Sequence, residues 1–261
     1  MAFQHIPVLA LLVAGAACVL GNIQSPINIK AEDAANASLS PLSFKHYHSS
    51  QSTYYLANTG HGCQITLKNW MYNPKVKGGP LHKSFILEQV HFHWGKNDGT
   101  GSEHYLNGEP FSMEAHLVHW NSKYSSFSEA ATKPDGLAVI GFFLEGLDNY
   151  KNPDFQKLVN VIPKIAAADS SKVESNADLL AWAVPGLAPN GYFTYGGSLT
   201  TSPYSENVLW IVYKNPLIIG KSQIEAFRAI ENEHNELLHT NYRALQNAEN
   251  ATLRYVPSPL L

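Results

Sequence analysis

The chain has 261 residues, 44% of them hydrophobic, with 15% charged residues and a formal net charge of −3: enough apolar material for one large core and no compositional break to divide it. No stripe of Lys and Arg is present to meet a phosphate backbone or an anionic bilayer, which argues against nucleic acid as a partner and against a stable membrane anchor. Thirteen Tyr, eleven Phe and five Trp among 18 Gly and 15 Pro suit a β-rich fold better than a helical bundle.

At the N-terminus, Ile6 to Leu20 is an apolar run closing on Ala14-Gly15-Ala16-Ala17, which reads as a secretory signal peptide over 1–20, although Met1 to His5 carries no Lys or Arg. That reading gives a domain over 21–255, a short tail over 256–261 and a secreted protein; a cytoplasmic protein is the alternative if the run is no leader. The sequons Asn36-Ala37-Ser38 and Asn250-Ala251-Thr252 are glycosylation acceptors usable in a secretory lumen. Tyr255 to Leu261 lacks the hydrophobic tail of a lipid-anchor signal. A Cys18–Cys63 disulfide stays open if cleavage precedes Cys18, and a free, buried Cys63 is preferred.

Further along, short apolar or alternating runs separated by Gly, Pro and Asn predict strands at Tyr54–Leu56, Cys63–Leu67, Phe85–Trp94, Met113–Trp120, Ala138–Leu144 and Val208–Tyr213. Helical periodicity predicts Phe155–Ala167 and Ile224–Leu238, the second with Ser222 as N-cap. A single domain follows, with a large sheet and peripheral helices.

Within Gln89-Val90-His91-Phe92-His93-Trp94, residues i and i+2 of a strand share a face, so His91 and His93 converge while Phe92 turns away. If Met113–Trp120 pairs beside it, His116 supplies a third nitrogen. Three protein ligands leave one tetrahedral position for water, the arrangement of a catalytic zinc rather than a structural one. Gln89 stands two before His91 and Glu114 two before His116, each placed to accept the ligand's other ring N–H. His119 falls on the opposite face from His116 and reads as packing or hydrogen bonding against Trp120, and His104 likewise as a non-ligand. His234 and His239 read as solvated residues of a charged helix.

Gln24-Ser25-Pro26-Ile27-Asn28-Ile29, Asn58-Thr59-Gly60-His61, Gln89 to Gly95, Gly101-Ser102-Glu103-His104, Glu114 to Asn121 and Gly197-Ser198-Leu199-Thr200-Thr201-Ser202-Pro203 resemble the signature segments of the α-class carbonic anhydrases, in order and near their spacing, over about Gln24 to Gln246. The resemblance implies a mostly β, α+β fold: a mainly antiparallel, twisted central sheet with Zn2+ at the base of a conical cleft. It implies reversible hydration of carbon dioxide to bicarbonate and a proton, by attack of a zinc-held hydroxide. It makes His91, His93 and His116 the metal ligands and Thr200 the residue that orients the attacking oxygen while donating to Glu103. Val118, Val139, Leu199, Thr201, Val208 and Trp210 become the substrate pocket and His61 the proton carrier. No transporter partner for bicarbonate can be named from the residues.

Departures from the family pattern also show. The segment of twenty or more residues that usually precedes Gln-Ser-Pro-Ile is missing. Tyr204 replaces the second cysteine of the disulfide usual in extracellular members, Ser202 replaces a common proline, and Thr59 and Gln64 stand where Asn residues often order solvent. A catalytically impaired, carbonic anhydrase-related binding or structural module is the alternative reading.

Overall fold

Extended apolar or alternating runs satisfy their backbone groups by pairing edge to edge and bury their side chains under whatever covers the faces of the sheet, and the predicted runs do so. The computed structural model describes residues 23–47, 52–68, 73–188 and 190–258; the expected leader over 1–20, Cys18 and the last three residues of the expected tail lie outside them. The main strands are β1 (Tyr54–Asn58), β2 (Cys63–Leu67), β3 (Leu81–Trp94), β4 (Met113–Asn121), β5 (Leu137–Leu147), β6 (Tyr192–Gly197), β7 (Val208–Tyr213) and β8 (Arg254–Val256). They form one sheet in the order β1-β2-β3-β4-β5-β7-β6-β8, extended by Val173–Ser175 beyond β1 and by Ala35–Asn36 beyond β8. Neighbours run antiparallel except where β5 lies parallel to β7 and to Leu217–Gly220, and β8 to Ala35–Asn36.

Each face of this sheet carries its own core. On one face Val90, Phe92, Trp94, Ala115, Leu117, Ile140 and Phe142 pack under the helices. On the other, Val118, Val139, Val208 and Trp210 join Ile27 and Ile29 of the N-terminal segment. Phe92 anchors the first core, with its ring centroid 5.2 Å from Phe227, 5.5 Å from Trp182 and 6.1 Å from Phe155. Each such aromatic pair contributes about 0.5–1.5 kcal/mol beyond its buried area.

A β-bulge sets the phase of β3. Phe85, Ile86 and Leu87 pair with Asn121, Trp120 and His119, but the register slips by one at Glu88, so that Gln89 pairs with Val118 and His91 stands opposite His116. Phe85 and Leu87 point into the first core upstream, and Val90, Phe92 and Trp94 downstream. An unbroken period of two could not put both sets on one face.

The helices are shorter than their periodicity predicts. After the single turn of α1 (Phe127–Ala130), there is α2 (Pro153–Val159) instead of Phe155–Ala167, then a 3-10 turn at Ile162–Lys164. Asn152 caps α2 by accepting from Asp154 N (3.1 Å) and Phe155 N (3.0 Å). Pro163 cannot continue an α-helix, since it lacks the N–H and constrains the residue before it. The second helix is α3 (Lys221–Arg228), not Ile224–Leu238. Gly220, not Ser222, is its N-cap, with its N–H donating to Gln223 Oε1 at 2.9 Å. Beyond it, Asn232 Oδ1 accepts from the backbone of His234 (2.9 Å) and Glu236 (3.0 Å), and Asn235 adopts φ 60°. A side-chain acceptor competing for backbone N–H groups turns the chain out of the helix, so His234 and His239 stand on irregular chain rather than on a charged helix.

Candidate metal centre

The pairing of β3 with β4 brings three imidazoles to one point. His93 Nε2 lies 3.1 Å from His116 Nδ1, which lies 3.3 Å from His91 Nε2. Each ring's remaining nitrogen is engaged. His91 Nδ1 donates to Gln89 Oε1 (2.9 Å), His93 Nδ1 to the Asn241 carbonyl (2.9 Å) and His116 Nε2 to Glu114 Oε1 (2.8 Å). A neutral imidazole has one N–H, and here it is used outward, so the three converging nitrogens present bare lone pairs that cannot bond one another. Burial, and then the neighbouring imidazoles, push His91 well below the usual histidine range, and burial lowers His93 as well. Lone pairs on a tetrahedral zinc at about 2.0–2.1 Å would stand about 3.3–3.4 Å apart, so the donor set fits that ion.

Beneath the ligands, Glu114 gathers four donors. Its Oε1 accepts from His116 and from His104 Nδ1 (2.8 Å), and its Oε2 from the backbone N–H of Glu103 (2.9 Å) and His104 (2.7 Å). Burial opposes its charge, but the imidazoles of His104 and His116 and the hydrogen bonds they donate prevail and hold the carboxyl well below its usual range. His104 is therefore a hydrogen-bonding residue, as expected of it. With Nδ1 donating, its Nε2 accepts from the Tyr195 hydroxyl at 2.7 Å.

Glu103 is 1% exposed. Its Oε1 accepts from Arg243 N (2.8 Å), while Oε2 has no hydrogen-bond partner and lies 3.5 Å from His93 Nε2 and 3.9 Å from His116 Nδ1. A buried, unpartnered carboxylate oxygen facing unprotonated nitrogens is a second sign of a cation's place. Thr200 is buried, but among the described residues no hydrogen bond joins it to Glu103, whose Oε2 is left without a partner. The bond that the resemblance implies is thus absent here, although both carboxylate oxygens keep acceptor capacity, Oε1 accepting from Arg243 N alone and Oε2 from nothing.

Beside the histidines stands the apolar wall. Val139 pairs with Val118 across β4–β5 and with Trp210 across β5–β7. The Trp210 ring lies 4.8 Å from that of His116, its indole N–H held by the Ser198 carbonyl at 3.0 Å. Val208 shares this cluster and Leu199 packs against it. Above lies a cleft of about 520 Å³ whose lining includes His61, Gln64, Gln89, His91, His93 and Thr201. His61 sits on the turn from β1 to β2, its side chain 77% exposed, with Nε2 4.0 Å from Glu233 Oε2.

Asn241 escaped the sequence reading. It lies 148 residues from the ring it holds, and a backbone carbonyl leaves no side-chain signature. His119 is buried, but its partner is the Tyr47 hydroxyl on Nε2 rather than the expected Trp120, because His119 and Trp120 point to opposite faces of β4. Cys63 is buried and free.

The sequence model of the eukaryotic-type carbonic anhydrases matches residues 14–257. Carbonic anhydrase 7 of Mus musculus is 40% identical over 234 residues, 87% of this chain and 85% of that protein. Carbonic anhydrase 1 of Monodelphis domestica is 39% identical over 215 residues, 80% and 78% of the two chains. Carbonic anhydrase 5A, mitochondrial, of Rattus norvegicus is 38% identical over 240 residues, 90% and 77%. These matches overturn the expectation of secretion: they include mitochondrial enzymes, and the family match begins at residue 14, inside the run read as a leader.

Proposed function

Since this chain belongs to the eukaryotic-type carbonic anhydrase family, whose members use zinc, we propose that it catalyses the reversible hydration of carbon dioxide to bicarbonate and a proton. His91, His93 and His116 would hold the ion. Zinc held by three imidazoles supplies a Lewis acid that brings a coordinated water's pKa to near 7, a property of the family rather than one read from this chain.

The chain's own residues do the rest. Gln89, Glu114 and the Asn241 carbonyl fix the three ring tautomers, so the lone pairs point inward before any ion arrives. The Glu114 carboxylate also makes His116 a stronger donor. Val118, Val139, Val208 and Trp210, with Leu199 packed against them, exclude water on one side of the ligands, and the family resemblance assigns to them the apolar place of a small, uncharged substrate. Thr200 orients the attacking oxygen with its hydroxyl, and its backbone N–H meets the charge that develops during attack. His61, at the rim with its ring in solvent, takes the proton outward.

The observation that carries this reading is the convergence of three unprotonated nitrogens, each with its other nitrogen bonded away from the centre. One observation favours the alternative of an impaired, binding-only relative, namely the missing Thr200–Glu103 hydrogen bond. Stopped-flow carbon dioxide hydration by the zinc-loaded protein, with and without a zinc-binding sulfonamide and beside His116→Ala, separates the two. Rapid turnover abolished by both the inhibitor and the substitution is expected. A folded protein holding stoichiometric zinc without turnover would establish the binding-only reading instead.

A further inference from the structure

Two asparagines strap the turn that carries His61 to the segment following α3. Asn58 Nδ2 donates to the Glu231 carbonyl (2.9 Å) while its Oδ1 accepts from Gly60 N (2.8 Å). Asn241 Nδ2 donates to the carbonyl of His61 itself (3.1 Å) and to that of Phe92 (3.0 Å), and Oδ1 accepts from Trp94 N (2.8 Å). One carboxamide thus grips the residues on both sides of His93 together with the backbone of the rim histidine. The fit is close on the turn side, where a Cβ on Gly62 would come 3.0 Å from Asn241 Nδ2. Among the described residues the His61 ring, mostly in solvent, meets only the exposed Glu233 carboxylate, at 4.0 Å, so its place depends chiefly on where the backbone is pinned.

Resting on the reading of His61 as the proton carrier, we propose that the Asn241 carboxamide is a positioning residue for proton export, fixing the His61 turn relative to the strand end that presents His93. Proton transfer through ordered water depends steeply on the separation and orientation of the groups at its ends. Attack on carbon dioxide does not use that path. A loosened turn therefore acts on the proton step more than on the hydration step.

The test compares Asn241→Ala, His61→Ala, the double variant and Gly62→Ala with the parent holoenzyme. Asn241→Ala keeps the backbone carbonyl that holds His93, and it should lower kcat about tenfold with a smaller loss in kcat/KM. Added imidazole, a diffusible proton carrier, should restore kcat. Backbone amides over 58–64 should exchange hydrogen faster in this variant, with or without zinc, and the double variant should be no slower than His61→Ala alone. Gly62→Ala disturbs the same contact from the turn side and should show a milder form of the same signature; it carries the test if Asn241→Ala does not fold. Equal losses in kcat and kcat/KM accompanied by zinc loss would make Asn241 a support of the metal strand only and overturn the proposal. So would an imidazole-rescued loss in His61→Ala with none in Asn241→Ala. An unimpaired His61→Ala removes the proton-carrier reading itself, and this proposal with it.

Discussion

At the floor of the cleft each imidazole has its orientation set by an acceptor, half-buried in Gln89 and Asn241 and fully buried in Glu114, which alone collects four N–H donors. At the rim, His61 is 77% exposed and its nearest carboxylate, Glu233, is 4.0 Å away and 58% exposed. The difference follows from what each region must do. An ion is held well only when its ligands lose their freedom in advance, whereas a group that trades protons with solvent has to stay wet. Substitutions at the floor should therefore be costly and those at the rim cheap.

The largest effect is expected at Glu114. Glu114→Ala leaves two imidazole and two backbone donors buried without an acceptor, and should destabilise the protein by about 3–5 kcal/mol in urea denaturation, with loss of zinc. A loss under 1 kcal/mol would break the comparison at its strongest point. An intermediate effect concerns pH. Burial holds His119 down to about 3, below the ordinary histidine value, so the unfolded chain takes up its proton first as pH falls. Its contribution is thus complete above about pH 6.5 and declines progressively toward pH 3, at about 1.4 kcal/mol per pH unit once the unfolded chain is protonated. His119→Gln should flatten the fall in stability between about pH 5.5 and 4 by that slope; parallel curves for variant and parent would mean that His119 is not buried as a neutral ring. The smallest effect belongs to Glu233→Gln at the rim, where an exposed pair contributes about 0–1 kcal/mol. Its thermal midpoint should match the parent, and a clear drop would show the rim to be more tightly built than its exposure implies.

What was legible in the sequence was local. The period of two over Gln89–His93 and Glu114–His116 exposed the ligands and two of their acceptors, because a strand converts adjacent sequence directly into a shared face. Asn241 was not legible, since its acceptor is main chain and its partner distant. The helices were overextended because hydrophobic periodicity continues through Pro163 and Asn232, where backbone chemistry overrides it. The departure from the family pattern at Tyr204 acquires a structural use instead of a disulfide, its ring lying 4.1 Å beneath the Arg243 guanidinium.

The bulge at Glu88 gives β3 something like a reading frame. The strand already carries one residue too many for a straight ladder, and absorbs it between Leu87 and Gln89. Deleting Glu88 would therefore leave Leu87 opposite His119 and His91 opposite His116, both halves in frame. Deleting any single residue from Val90 to Phe92 would instead put one half out of step, turning either the ligands or the aromatic anchor the wrong way. Length changes in this strand are thus forgiven at one place only, three residues before the first ligand.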